Sequence, residues 1–126
     1  MSKRLDWNRA RRIWNGSPNV IAVWAFGSAR GGQVATGSDV DIAVLLEAPP
    51  SLDERIELLS RLQEVLQVEE IDLVVLNEAN AILRFEATSG QPLFCRDVAR
   101  RAEFVSLTAR EYEDEMAFWR RALRDA

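Results

Sequence analysis

Apolar and polar residues follow two different periods along the chain, and the period tells helix from strand. From Leu5 to Asn15, Trp7, Ala10 and Trp14 recur at helical spacing, and the breaker run Gly16-Ser17-Pro18-Asn19 follows. A short amphipathic helix and a turn are predicted. Val20 to Phe26 is a continuous apolar run ending at Gly27, the pattern of a buried strand, and Asp39 to Leu46 reads as the next strand. After Pro49-Pro50, Ser51 to Glu54 reads as a capping box in which the Ser hydroxyl and the Glu carboxylate satisfy each other's backbone donors. The helix it opens should run to about Gln67, with Leu52, Ile56, Leu59, Leu62 and Leu66 on one stripe. Ile71 to Leu76 is predicted as a third strand, and a helix between two strands is what a crossover connection requires.

Glu78 to Ser89 reads as a helix stopped by Gly90, a left-handed cap. Pro92 to Cys95 is expected at a sheet edge, where Pro is tolerated. From Asp97 to Arg124 the pattern is a long helix. Val98, Val105, Tyr112 and Trp119 recur at heptad spacing, with Ala102, Ala109, Met116 and Leu123 one turn after each. Such a seam wants a partner surface. No internal repeat, low-complexity stretch or second domain is visible, so the 126 residues, 1–126, are read as a single domain.

Composition narrows the chemistry. The balance of 16 basic against 20 acidic side chains, a formal charge of -4, argues against a chain that coats nucleic acid by bulk electrostatics. A lone Cys95 cannot form an intramolecular disulfide, and no stretch resembles a signal peptide or a bilayer-spanning segment, so a cytoplasmic, soluble protein is expected. With no His, imidazole is excluded as base, nucleophile or metal ligand. Catalysis here must rest on carboxylates, hydroxyls and cations.

The residues that fit this restriction are grouped. Gly27-Ser28 follows a buried strand, where a missing side chain lets a ligand approach the backbone while N–H groups and the Ser hydroxyl hold phosphate oxygens. Ten residues after Ser28, Ser38-Asp39-Val40-Asp41 opens the next strand. In a strand, Asp39 and Asp41 project from the same side, roughly 7 Å apart along the backbone, which suits one or two magnesium ions. Taken singly, Gly-Ser reads as a turn and the Asp pair as a cap with one solvated side chain. Pairing of the two strands would bring both motifs to the same sheet end. Asp72 lies in the third apolar run, where an unpaired carboxylate is costly to bury, and a neighbouring strand could aim it at the same metals. Three carboxylates on two adjacent strands would form a two-metal site, the third able to accept the proton of an attacking hydroxyl.

Gly27-Ser28, Ser38-Asp39-Val40-Asp41 and Asp72 together resemble the signature of the polymerase-β-like nucleotidyltransferases, in their minimal branch. The resemblance runs from about residue 20 to the end, through Pro92-Leu93-Phe94-Cys95-Arg96-Asp97 and the helix around Arg110-Glu111-Tyr112. It implies an α/β (α+β) fold, with a mixed sheet flanked by helices. It also implies ATP and Mg²⁺ as ligands and transfer of a nucleoside monophosphate to a hydroxyl. It further suggests the antitoxins of this branch, which add AMP to a tyrosine of a HEPN-domain toxin. By that resemblance Gly27, Ser28 and Ser38 hold the nucleotide and Asp39 and Asp41 bind the metals. Asp72, a metal ligand with them, positions or deprotonates the acceptor hydroxyl. Relatives commonly carry Arg-Gly four and five residues after the first Gly, whereas here those places hold Gly31 and Gly32, with Arg30 one place earlier. Arg30 is therefore left out of the catalytic set.

The implied partners are ATP and a HEPN-domain toxin, in a hetero-oligomer, with no direct nucleic-acid or membrane contact. Two other readings remain open. One is adenylylation of a small molecule such as an aminoglycoside, although the chain lacks the extra substrate domain such enzymes carry. The other is a binding antitoxin with a vestigial site, which the heptad-spaced last helix supports. Lys3, Arg4, Arg9, Arg11 and Arg12 read as a solvated helix face. Trp7, Trp14 and Trp24 read as packing residues and Cys95 as a small buried hydrophobe. Trp119, if exposed, reads as an interface anchor.

Overall fold

The computed structural model describes residues 2–29, 31–35 and 37–125. In chain order its elements are β1 (Ser2–Arg4), α1 (Trp7–Asn15), β2 (Val20–Phe26), β3 (Gln33–Ala35), β4 (Val40–Leu46), α2 (Leu52–Leu66), β5 (Ile71–Val75), α3 (Ala81–Thr88), β6 (Gln91–Cys95) and α4 (Val98–Arg124). The main sheet has the order β5-β4-β2-β6. β2 is antiparallel to both β4 and β6, and β4 is parallel to β5, the pair joined by α2 as a crossover. β1 and β3 form a separate antiparallel ribbon, Lys3 opposite Val34. At three residues each, they are too short to leave a periodic signal in the sequence.

Side-chain alternation gives the central strands two buried faces. On one face Val23, Val40, Ile42, Val44 and Leu46 pack against Ala10, Ile13 and Trp14 of α1 and Leu58, Leu62 and Leu66 of α2. On the other, Ala22, Trp24, Phe26, Ala43 and Leu45 meet Leu83 and Ala87 of α3 and Phe104 of α4. The result is a mixed sheet between two helical layers. It explains why β2 is buried at every position and reads as an unbroken apolar run.

Several expectations shift once packing is seen. The buried stripe of α2 is Leu58, Leu62 and Leu66, while Leu52 and Ile56 face solvent, because the sheet meets the helix only beyond its first turn. The capping box forms by half. Ser51 Oγ accepts from the Glu54 N–H at 3.1 Å, but the Glu54 carboxylate turns away to accept from Asn19 Nδ2 at 2.8 Å. The segment after β5 opens with a 3-10 turn, Leu76–Glu78, and α3 starts only at Ala81, because Asn80 caps it by accepting from the Leu83 N–H at 2.9 Å. Gly90 is not left-handed, and α3 is closed by Ser89 in the right-handed region. The left-handed cap belongs to Gln67, with φ 53°, after α2. Cys95 is only partly buried.

Two side chains pin the sheet end opposite Gly27. Asn77 accepts from the Leu46 N–H at 2.9 Å and donates to the Leu46 carbonyl at 2.8 Å, so it continues the β4–β5 pairing with side-chain atoms. Arg96 donates to the carbonyls of Val20 and Trp14 at 2.9 and 2.8 Å, tying β6 to the end of α1. Among the described residues no helix is long and apolar enough to cross a membrane.

Candidate active site

β2 delivers the glycine turn and β4 the first carboxylates to one end of the sheet. Phe26 pairs with Asp41 across the antiparallel ladder, so Gly27, the next residue, turns directly beside the Asp41 side chain. Gly27 has φ +61°, and a Cβ there would stand 2.5 Å from Oδ2 of Asp41. A glycine is thus required twice over, by the left-handed backbone and by the approach of the carboxylate. Gly27–Ala29 forms a 3-10 turn, whose leading N–H groups have no partner within the turn and are the groups that could receive an anion. Ser28 Oγ donates to the Asp39 carbonyl at 3.3 Å, stitching the turn to the loop that carries the acids.

Asp41 and Asp72 are direct partners in the parallel β4–β5 ladder. In-register residues on neighbouring strands share a face, and strands lie about 4.8 Å apart, so both carboxylates stand side by side on the face that carries α3. Asp39 lies one residue before β4 rather than inside it, and is exposed. Ser38 precedes it in a turn closed by its N–H bond to the Ala35 carbonyl at 3.0 Å. The backbone donor of Ser38 is thereby used, and its hydroxyl is the group left for a ligand. Asp72 is exposed at the start of the edge strand β5, not buried as its apolar neighbours suggest. Alternation turns Asp72 out while Ile71 and Leu73 pack inward. What places Asp72 beside Asp41 is therefore strand register and not the cost of burial.

Burial first, and then the charges of Asp72, Asp39 and Glu86, hold the Asp41 carboxyl above the usual aspartate range. Glu86 is the residue that sequence reasoning missed. It sits on α3, and only the packing of α3 over the sheet brings its charge within reach of Asp41. No local spacing announces it. Arg30 lies outside the described residues.

The donor set suits Mg²⁺. The oxygens are hard carboxylates, and their mutual repulsion is what a divalent cation relieves. Among the described residues no three acidic or thiol side chains close into a ready-made cage. Mg²⁺ asks for less, since it keeps several waters and takes one or two carboxylates together with substrate phosphates. Asp41 with Asp39 or Asp72 could supply those carboxylates, and the adjoining Gly27–Ala29 turn could hold the phosphates.

The Gly27 contact yields a direct expectation. Gly27→Ala strains the left-handed backbone by about 1 kcal/mol and drives the methyl group into Asp41. ATP affinity, read by calorimetry in the presence of Mg²⁺, should fall at least about tenfold while the protein remains folded.

Comparison with known proteins bears on the family and the fold. The family model described as polymerase beta, nucleotidyltransferase matches residues 8–99. No curated protein matches the chain. Among solved structures, a chain of a mutant MntA–HpeT toxin–antitoxin superposes with TM-score 0.82 at 24% identity, covering 96% of this chain and 98% of that one. A chain of a toxin–antitoxin structure with AMP-PNP gives 0.79 at 26% identity, covering 96% and 98%. A chain from the tri-AMPylated HEPN toxin of Shewanella oneidensis in complex with MNT antitoxin gives 0.73 at 23% identity, covering 94% and 93%.

Proposed function

Because this chain belongs to the polymerase-β nucleotidyltransferase family, we propose that it transfers AMP from ATP to a tyrosine hydroxyl of a HEPN-domain toxin, and so acts as its antitoxin. The observation that carries the reading is the side-by-side register of Asp41 and Asp72, with Gly27 packed against the Asp41 carboxylate. The structural relatives that contain an ATP analogue or an AMPylated HEPN toxin support the choice of donor and acceptor. Residues 1–126 are taken as one domain carrying the whole activity.

In this mechanism the N–H groups of the Gly27–Ala29 turn and the Ser38 hydroxyl grip the triphosphate of ATP, and the Ser28 hydroxyl joins them by exchanging its long bond to the Asp39 carbonyl for one to a phosphate oxygen. Mg²⁺, bound by Asp39 and Asp41, would supply charge neutralisation on the phosphoryl oxygens. Asp72, at the exposed edge, accepts the proton of the acceptor hydroxyl. The freed oxygen attacks the α-phosphorus, the bond to the α,β-bridging oxygen breaks, and pyrophosphate departs. The protein contributes placement and electrostatics and forms no covalent intermediate of its own.

The test is label transfer to a cognate HEPN protein. Label should pass from α-labelled ATP and not from γ-labelled ATP, and Asp72→Asn should cut the rate at least about a hundredfold. Transfer from the γ position, or equal rates for wild type and variant, would refute the assignment.

A further inference from the structure

The last helix runs far past the body that it packs on. β6 leads away from the Gly27 end, since Gln91 pairs with Ala25 and Cys95 with Ala22. α4 therefore starts at the opposite end of the sheet, where Arg100 pairs with Glu47 just after β4. From there it crosses the sheet face through Phe104 and the buried Thr108. It reaches α3 at Tyr112, whose ring stacks on Phe85 with centroids 4.0 Å apart. Phe85 precedes Glu86, whose charge is felt at Asp41, and α3 ends where Gly90 touches Ala25 and Phe26. Tyr112 therefore stands level with the middle of α3, next to Glu111, which pairs with Arg84 at 3.7 Å, and the helix there is running from the Glu47 end toward the end that holds the carboxylates. The segment from Glu113 to Asp125 then extends about 20 Å further at the helical rise.

This overhang carries apolar side chains with nothing to cover them. Phe118 is 57% exposed, Trp119 48% and Leu123 74%. Phe118 and Trp119 pack edge to face, and Trp119 Nε1 donates to Glu115 at 3.0 Å, so the two rings are held in place on the arm. Charge changes sign along it, from Glu113, Asp114 and Glu115 at the root to Arg120, Arg121 and Arg124 near the tip, where Asp125 offsets Arg124 at 3.8 Å and leaves a net positive end.

We infer that this overhang is the docking arm for the acceptor protein, seating an apolar groove of the HEPN partner on Phe118, Trp119 and Leu123 so that its tyrosine reaches the carboxylate end of the sheet. The inference rests on the function proposed above and names its partner surface. Charge complementarity specifies that surface further. The groove is rimmed by acidic residues where it meets the tip, and by basic residues where it meets the root and the acidic site. A second copy of this chain could match the same polarity in an antiparallel pairing. The overhang paired with itself would involve only this one helical segment, whereas an acceptor that must also present its tyrosine to the carboxylates spans arm and site together.

The experiment measures binding of a cognate HEPN protein to Asp41→Asn, without nucleotide, so that failure of AMP transfer cannot be confused with failure of docking. Adding Trp119→Ala and Leu123→Ala should weaken binding at least about 30-fold, while Val98→Ala, exposed at the far end of the same helix, should leave it unchanged. With Asp41 restored, the double substitution should raise KM for the acceptor and leave ATP affinity as in wild type. Unchanged HEPN binding by the double variant overturns the inference. So does a wild-type dimer that the double substitution splits into monomers with HEPN binding intact. If no HEPN protein binds at all, the proposed function and the inference fall together. If binding depends on the arm but no AMP is transferred, only the proposed function falls.

Discussion

Asp41→Asn is expected to reduce AMP transfer about 1,000-fold, a loss of about 4 kcal/mol of transition-state stabilisation, and at the same time to raise the melting temperature of the Mg²⁺-free protein near neutral pH. Both effects come from one geometry. Burial and three neighbouring acids hold the Asp41 carboxyl above its ordinary value in the folded state. As pH rises the unfolded chain releases this proton first, so between the two values the folded state binds more protons. The stability linked to Asp41 is therefore full below the ordinary aspartate range and is lost as pH climbs through the raised folded value. Asn removes the charge that causes the loss. Thermal melts of wild type and variant should separate at about pH 7 and converge at about pH 3. Added Mg²⁺ should stabilise the wild type and leave the variant nearly unmoved. A variant that melts lower than wild type at neutral pH would contradict this electrostatic account of the site.

Gly90→Ala should be the most destabilising single-methyl change near the site. A Cβ at position 90 would stand 2.2 Å from the Ala25 carbonyl oxygen and 3.0 Å from the Phe26 side chain. Ala25 is fixed on both sides, paired with Ile42 of β4 and Gln91 of β6, so the strand cannot yield on its own. Overpacking of this kind costs about 3 kcal/mol, which corresponds to a fall in Tm of roughly 10 °C for a chain of this size. Because Phe26 leads directly into Gly27, ATP affinity should drop with it. Gly31→Ala is the control, since a methyl group there meets no atom within 4 Å and should leave Tm almost unchanged.

The contrast between these glycines shows what a sequence can and cannot carry. Gly27 is legible because a glycine after a seven-residue apolar run, twelve residues before an Asp pair, has few purposes other than a turn that meets a ligand. Gly90 looks like an ordinary helix stop, and only the close approach of α3 to β2 gives it another reason to be glycine. The same division holds for the acids. Asp39, Asp41 and Asp72 sit at strand starts and follow from alternation and pairing, whereas Glu86 joins them through helix-on-sheet packing. In α2 the spacing gives the period of the stripe but leaves its phase ambiguous, since Leu52, Ile56 and Leu58 are equally apolar and the sheet selects among them. In α4 the heptad seam is real in the sequence, yet the body takes up Phe104, Thr108 and Tyr112 and leaves Val98, Trp119 and Leu123 bare.

The most direct test of the central claim, that the Gly27 turn and the carboxylates of β4 and β5 form one AMP-transferring site, is the intact mass of a cognate HEPN protein after incubation with this chain, ATP and Mg²⁺. The expected result is a mass increase of one or more AMP units on a tyrosine-containing peptide, absent with Asp41→Asn. An unchanged mass with the wild-type chain, or the same increase with the variant, would contradict it.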